Sequence, residues 1–295
     1  MRFSIITPSF RSGQWLRLCI ASVADQEGAE FEHIVQDSCS DDGTQDWLPG
    51  EKRVQACIEK DQGMYDAVNR GFRRASGEVL AYLNCDEQYL PGALQAVHDF
   101  FNKHPEVDVL LADTVVTDAN GDYLCHRYSL VPSENQIWVR FSVLTCALFI
   151  RRRVVHEQGL FFDTRWRDLG DFFWVLEAVR RGLRLAVLPR ITSVFADTGE
   201  NMNLKPNALR ERKLKYEMTP GWLKRLQLPY AIQYRLRLAA RGALRLKPFD
   251  YWLYTLQSPA ARVRRTASRP TSFWKRGSGS LASRVWQNAW TLKDQ

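Results

Sequence analysis

The chain lacks the marks of a membrane span, a disulfide scaffold and a zinc protein. No run within its 295 residues approaches the length of a membrane-crossing helix. Its six cysteines (Cys19, Cys39, Cys57, Cys85, Cys125 and Cys146) are scattered, with no C-x-x-C pair. That pattern favours reduced thiols in the cytoplasm over a disulfide framework or a thiolate metal site. The five histidines show no ligand spacing. G-x-x-x-x-G-K-[ST], G-x-S-x-G and H-E-x-x-H do not occur, so the chemistries those motifs carry find no support. The apolar stretch 3–7 is too short for the core of a signal peptide and leads into a turn, so none is expected. There is no internal repeat, and no low-complexity segment before residue 255.

Negative charge is missing from one part of the chain only. Residues 1–200 hold about 21 Lys+Arg against about 29 Asp+Glu, whereas residues 201–295 hold about 20 against about 4, so the net +8 is a front of about −8 and a tail of about +16. Otherwise the composition is that of a globular protein, 45% hydrophobic and 25% charged, long enough for one large domain and an appendage. The charge boundary divides the chain into 1–203 and a basic region, 204–295.

Apolar runs over 3–8, 31–36, 54–58, 79–83 and 107–112 read as strands, and 14–25 and 91–103 as helices between them. This alternation is that of a parallel, doubly wound sheet. Beyond Asp113 the pattern becomes mixed. Strands over 115–117 and 123–127 flank Asp-Ala-Asn-Gly-Asp, a hairpin signal. A strand over 147–151, a helix over 171–181 stopped by Gly182, and two short strands over 185–188 and 191–195 follow.

The densest stretch is 59–87, EKDQGMYDAVNRGFRRASGEVLAYLNCDE. A polar loop ending at Gly63 opens a helix, Gly77 closes it, and the strand 79–83 ends at once in Asn84, Cys85, Asp86 and Glu87. Open α/β sheets bind ligands outside the carboxyl ends of their strands. Two adjacent acids there suit a hard divalent cation, which takes oxygen ligands and bridges to phosphates. Asp37, followed by Asp41-Asp42-Gly43-Thr44, also stands at a strand end, where a carboxylate can accept N–H groups of uracil or guanine. By itself that stretch also reads as an Asx-type turn with a helix cap. Asp86 likewise reads as a cap, and Asp171 as a carboxylate favoured at a helix N-terminus.

Taken together these motifs resemble the inverting family-two glycosyltransferases, in the colanic-acid-type branch reading roughly D-x-G-I-Y-D-A-M-N-x-G, a strand, then L-N-S-D-D. Asp61, Gly63, Tyr65, Asp66, Ala67, Asn69, Gly71, Ala75, Gly77, Leu83, Asn84 and Asp86 fall in register. The stretch 37–44 is similar to the family's D-G-G-S-T-D-G-T, with Ser38 and Cys39 in place of two glycines. Asp168-Leu-Gly-Asp171 resembles its D-Y-D-L-W box, and 195–201 its F-x-x-G-G-x-S loop more loosely.

The resemblance implies a Rossmann-like, mixed-sheet nucleotide-diphospho-sugar transferase fold of GT-A type. It implies Asp171 as catalytic base, with Asp168 as a rival, and Asp86 and Glu87 as ligands of Mn2+ or Mg2+. It places Thr7, Pro8, Ser9, Asp37, Asp61, Asp66, Asn69, Asn84 and Cys85 around a nucleotide-sugar donor, with Asp66 and Asn69 one helical turn apart. Asp197, Thr198 and Asn201 become contacts to the diphosphate. The acceptor expected is a glycan or lipid-linked hydroxyl, and the donor base UDP. The departures at Asn84, Glu87 and 195–201 leave open a second reading, a catalytically inactive homologue that acts as a nucleotide-sugar-binding or scaffold subunit of a glycan-assembly complex.

The tail is read as basic and helical. Trp222, Leu223, Leu226, Leu228 and Tyr230 interleave with Lys224, Arg225, Arg235, Arg237 and Arg241, which suits a helix in an anionic membrane interface. A solvated helix packed on the core, or a nucleic-acid footprint, shares that composition; the acidic front region argues against nucleic acid. The segment 258–283, rich in Ser, Arg, Pro and Gly, is expected to be poorly ordered. The expected location is the cytoplasm, at the inner face of the cell membrane.

Overall fold

The structure, a computed structural model, describes residues 1–199 and 206–274. In chain order, β1 (Arg2–Ser9) leads to α1 (Gly13–Ala24), β2 (Glu30–Asp37), α2 (Thr44–Trp47) and β3 (Gln55–Ile58). Next come α3 (Met64–Arg74), β4 (Val79–Tyr82), β5 (Glu87–Tyr89), α4 (Ala93–Lys103), β6 (Val109–Asp118) and β7 (Tyr123–Arg127). Then follow α5 (Glu134–Val139), β8 (Leu148–Arg151), α6 (Arg152–His156), α7 (Gly170–Arg180) and β9 (Leu185–Asp197). The basic region contributes α8 (Pro206–Met218), α9 (Gly221–Arg225), α10 (Gln227–Ala240), β10 (Phe249–Thr255) and β11 (Ser258–Ala267).

Among the described residues one sheet of nine strands runs β3-β2-β1-β4-β8-β6-β9-β5, with β7 paired to β6. β1, β2, β3 and β4 are mutually parallel, whereas β8 is antiparallel to both β4 and β6. This is the mixed sheet with a Rossmann-like front expected from the sequence. Successive residues of β1 and β4 serve opposite faces, as the two-residue period of a strand requires. Phe3, Ile5, Val79 and Ala81 pack with Cys19 and Val23 of α1 and Val97 and Phe101 of α4. Ile6, Leu80 and Tyr82 pack with Val68 and Phe72 of α3 and Phe172 and Val175 of α7. Gly71 lets α3 settle on β1: a Cβ there would lie 2.5 Å from Ile6 Cγ2.

The two short strands expected over 185–188 and 191–195 are one strand, β9. Its register to β6 slips between Leu188 and Ile191, leaving Pro189 and Arg190 exposed outside the ladder. Proline has no N–H to give a ladder, so a bulge is where it fits.

The tail departs further from expectation. It is helical through Ala240, but β10 and β11 then form an antiparallel hairpin where a helical and then poorly ordered chain was expected. Tyr251, Leu253 and Ala267 of the hairpin pack on Leu90, Val115 and Val194. Gln88 of β5 binds Tyr254 twice, its amide donating to the carbonyl at 2.9 Å and its oxygen accepting the N–H at 2.8 Å. Arg262 reaches back to Asp25 at 2.6 Å. The rest of the segment expected to be poorly ordered, 275–283, lies outside the described residues. No described helix is long and apolar enough to cross a membrane.

Candidate active site

β1, β2 and β4 end side by side, and a cleft of about 3050 Å³ opens there. Its lining includes Pro8, Ser9, Asn84, Cys85, Asp86 and Glu87 from the strand ends. It also includes Asp61 and Tyr65 around the start of α3, and Asp168 and Asp171 at the start of α7.

The turn from β4 to β5 presents the two acids. Glu87 N–H donates to the Asn84 carbonyl at 3.0 Å, and Asn84 N–H donates to Glu87 Oε2 at 2.8 Å. The Cys85 thiol donates to the Pro8 carbonyl at 3.2 Å, and burial raises its pKa well above the usual range, so it is no nucleophile at neutral pH. Glu87 is buried and Asp86 half-buried beside it, and both carboxyls are raised above the usual range by loss of water, Glu87 further by the charges of Asp86 and Asp171. Glu87 Oε1 is buried without a hydrogen-bond partner.

That pair fits a divalent cation in a specific sense. A cation would relieve two crowded carboxylates and the orphaned oxygen of Glu87. Among the described residues no group of three or more His, Cys, Asp or Glu forms a cage, so its other ligands would be diphosphate and water oxygens.

Of the residues expected around the donor, four lie outside the cleft lining. Thr7 is fully buried and shares a 2.8 Å hydrogen bond with His33 Nε2. Asp37 is also fully buried; it accepts the Ser9 hydroxyl at 2.8 Å, the Ser40 N–H at 2.8 Å and the Ser40 hydroxyl at 2.7 Å. Those bonds brace a turn in which Cys39 adopts φ 55°, the left-handed conformation that a glycine would take without strain. Asn69 corrects the expectation most clearly. It is 2% exposed; its amide donates to the Phe162 carbonyl at 2.8 Å and accepts the Phe162 N–H at 2.9 Å. It clips α3 to the chain before α7, and that explains an asparagine inside a helix. Asp66 reaches back from the first turn of its helix to the loop before it, accepting Gln62 N–H at 3.0 Å, and pairs with Arg70 at 3.0 Å. Asp61 does line the cleft; it accepts Gly63 N–H at 2.8 Å, and burial raises its carboxyl.

The D-L-G-D segment delivers Asp171 in the first turn of α7. Its N–H donates to the Tyr65 hydroxyl at 3.1 Å, and its Oδ1 accepts the Phe172 N–H at 2.7 Å. Gly170 is required by this approach, since a Cβ there would lie 2.6 Å from the Tyr65 ring. Burial pushes the Asp171 carboxyl up to about 6, with the Asp168 charge adding to the rise. Asp168 lies before the helix and accepts a short hydrogen bond from the Asn207 amide.

Several lining residues were not singled out from sequence. Phe10 stands between the guanidinium of Arg11, 5.0 Å from its ring centre, and Lys60 Nζ at 5.3 Å. α8 brings Arg212, Lys213, Lys215 and Tyr216. Lys215 Nζ lies 4.7 Å from the Phe172 ring centre, and burial lowers its pKa to about 8. Leu256 and Pro259, from around the hairpin turn, join the lining with Trp274, whose indole N–H donates to Asp197 Oδ2 at 3.1 Å. Thr198 lines the cleft, whereas Asn201 lies outside the described residues. The alternating basic and aromatic composition of the tail was the available signal, but it does not say which residues turn inward.

Comparison with known proteins accords with this geometry. The PGL/p-HBAD biosynthesis glycosyltransferase of Mycobacterium bovis (strain BCG / Pasteur 1173P2) is 29% identical over 176 residues, 58% of this chain and 66% of that protein. The match thus spans just under two thirds of that relative's length. Two solved structures share the fold at low identity. S. aureus TarS 1-349 in complex with UDP-GlcNAc superposes with a TM-score of 0.57 at 18% identity, over 84% of this chain and 76% of that one. The mannosyltransferase PcManGT from Pyrobaculum calidifontis in complex with GDP-Man and Mn2+ gives 0.53 at 18% identity, over 82% and 77%. The profile described as Glycosyl transferase family 2 matches residues 4–158, the stretch that carries the strand ends and the acid pair. With more than half of the chain matched, the protein belongs to glycosyl transferase family 2.

Proposed function

We propose that the protein is an inverting transferase of the colanic-acid-type branch, moving one sugar from a UDP-linked donor to a hydroxyl of a glycan or lipid-linked acceptor in cell-surface polysaccharide assembly. The carrying observation is that Asp171 lines the same cleft as Asp86 and Glu87, close enough for its charge to raise Glu87. Pro8, Ser9, Asp61, Asn84 and Cys85 border the donor side, and Asp37 braces it from behind. UDP rests on frequency in the family; the related folds were solved with both UDP-GlcNAc and GDP-Man. The mycobacterial relative, named for PGL/p-HBAD biosynthesis, supports sugar transfer in a biosynthetic route, and surface polysaccharide assembly rests on the family resemblance.

Asp86 and Glu87 would hold Mn2+ or Mg2+, which when bound neutralises charge developing on the leaving diphosphate. The acceptor oxygen attacks the anomeric carbon from the face opposite the diphosphate, the bond to the diphosphate breaks, and Asp171 takes the acceptor's proton. One displacement inverts the anomeric centre. A carboxyl pushed up to about 6 is ionised at neutral pH yet basic enough to receive a proton.

The partner proposed for the tail is an anionic membrane surface, at the inner face of the cell membrane. Leu228, Ile232 and Leu236 of α10 follow one another at four-residue spacing and are 61%, 49% and 65% exposed. Trp222, 52% exposed, and Arg225 are exposed on α9 just before it, and Arg235 is exposed on α10 itself.

A thermal-shift screen of UDP and GDP sugars, each with and without Mn2+, tests the donor and the cation together. A ligand present at 100 times its Kd adds about 2.7 kcal/mol to the folded state. The donor is expected to raise the melting temperature more with Mn2+, and Asp86→Ala to lose that increment. Equal shifts with excess chelator would remove the cation from the reading. A donor that binds without being transferred to any acceptor would favour the binding-subunit alternative.

A further inference from the structure

We infer that Glu211, on the basic helix α8, is a positioning residue that holds the catalytic turn in place. The inference rests on the reading of Asp171 as the base.

Three consecutive backbone N–H groups converge on this one carboxylate. Arg167 N–H donates to Glu211 Oε1 at 2.8 Å; Asp168 and Leu169 N–H donate to Oε2 at 3.0 and 2.9 Å. The residue is 1% exposed. The Asn207 amide, one turn earlier on α8, donates to Glu211 Oε1 at 2.9 Å and also to Asp168. These bonds go to the chain that leads into α7 and not to the helix's own opening N–H groups, of which Asp171 N–H goes to the Tyr65 hydroxyl and Phe172 N–H to the Asp171 carboxylate. Glu211 thus anchors, from another helix, the residues immediately before the turn that carries Asp171. Tyr65 holds the same turn from α3, through the Asp171 N–H and its contact with Gly170. The base is therefore fixed between a residue of the front region and a residue of the tail.

A buried acid can also be simply part of the fold, so the test reads its effect through Asp171. Wild type, Glu211→Gln, Asp171→Asn and the double variant are compared for release of UDP from UDP-glucose and UDP-N-acetylglucosamine, for UDP affinity by calorimetry, and for amide hydrogen exchange. Gln keeps the size but loses one acceptor oxygen. Glu211→Gln is expected to lower kcat about 10- to 100-fold, the scale of a small misplacement, with UDP affinity unchanged. In the Asp171→Asn background it is expected to lower the residual rate less than twofold, because residues acting through one another are not additive. Exchange should accelerate at 167–171 and stay unchanged in β1 and β4.

An equal loss in both backgrounds, or unchanged exchange at 167–171, overturns the proposal. If neither sugar is turned over, local exchange decides alone. If Glu211→Gln does not fold, Asn207→Ala, which loosens the same carboxylate, must show the same pattern in smaller measure, and an unchanged kcat and turn overturn the proposal. Asp171→Asn with full activity would instead sink the reading of the base.

Discussion

The acidic front and the basic tail meet at the cleft, yet they use charge differently. In the front region, buried carboxylates sit at strand and helix ends where water has been excluded: Asp86, Glu87 and Asp171 are all raised by burial. They are placed by short local turns, each within a few residues of the element that carries it. In the tail, charge is divided by direction. Arg237 and Arg241 turn inward, to Gln136 Oε1 at 2.6 Å and Asp113 Oδ2 at 3.0 Å, and fasten α10 to the core. Arg225 and Arg235 turn outward beside the exposed leucines. The front region thus gathers its carboxylates at the cleft, while the tail uses its charge inward on the fold, outward on the proposed membrane and, through α8, on the wall of the same cleft.

The largest effect expected on either side of that comparison is Asp171→Asn. Asn has nearly the shape of Asp and leaves α7 intact, but it cannot take a proton at neutral pH. The rate of transfer should fall about 10²–10⁴-fold with donor affinity retained. In the parent, the rate should climb about tenfold per pH unit below about pH 6 and level off above it, because the base works ionised. Stability should run the other way. The folded pKa of about 6 exceeds the ordinary value of 3.8, so between the two the folded state holds a proton that the unfolded state has lost. This contribution is full below about pH 4 and is lost as pH rises through about 6, a span of about 3 kcal/mol. Denaturant titrations at several pH values should show that part of the slope missing from the Asn variant. An unchanged rate with Asp168→Asn inactive would move the base to the earlier aspartate.

A smaller effect is expected at the outer face of the tail. Each basic residue near an anionic surface contributes about 1 kcal/mol, close to fivefold in binding. Arg225→Gln and Arg235→Gln together should weaken sedimentation with anionic vesicles about 25-fold and leave binding to neutral vesicles unchanged. Ile232→Glu with Leu236→Glu should weaken both, since it removes the buried apolar part of the contact. Equal binding of the parent to anionic and neutral vesicles would end the division of the tail's charge proposed above.

The two regions also differ in how far they could be read before the fold was known. That Asp86 and Glu87 stand at the end of a strand and Asp171 at the start of a helix was legible because such ends leave local marks in a sequence. Glu211 was not, since the N–H groups it accepts lie 42 to 44 residues away. Asn69 was misplaced for the same reason: its partner Phe162 lies 93 residues away, so a packed amide looked like a free one. The hairpin β10–β11 was hidden by its composition. Its inward residues, Tyr251, Leu253 and Ala267, are few, and its second strand carries Arg262, Arg264 and Arg265 toward the surface or toward acids of the front region.

The finest division between local and distant roles belongs to Asp37. The motif marks it as a donor residue, whereas its hydrogen bonds make it a brace. An ionised carboxylate has about four acceptor positions, and Ser9 and Ser40 take three of them. At most one remains for a base N–H, worth about 1.5–3 kcal/mol for a bond to a charged acceptor, or about 10- to 150-fold in affinity. Asp37→Asn should therefore weaken UDP binding by no more than about 150-fold, while lowering stability by about 1–3 kcal/mol as the Ser40 turn loosens around the left-handed Cys39. Calorimetry with UDP and thermal denaturation of the same samples separate the two. Cys39→Gly gives the control, since it relieves the strain without touching the carboxylate, and in the Asp37→Asn background it should recover part of the stability and none of the affinity. If it restores both, UDP responds only to the shape of the turn, and Asp37 makes no contact with the base. A loss of UDP binding far beyond about 150-fold, with stability unchanged, would instead return Asp37 to the donor contacts that its motif implies.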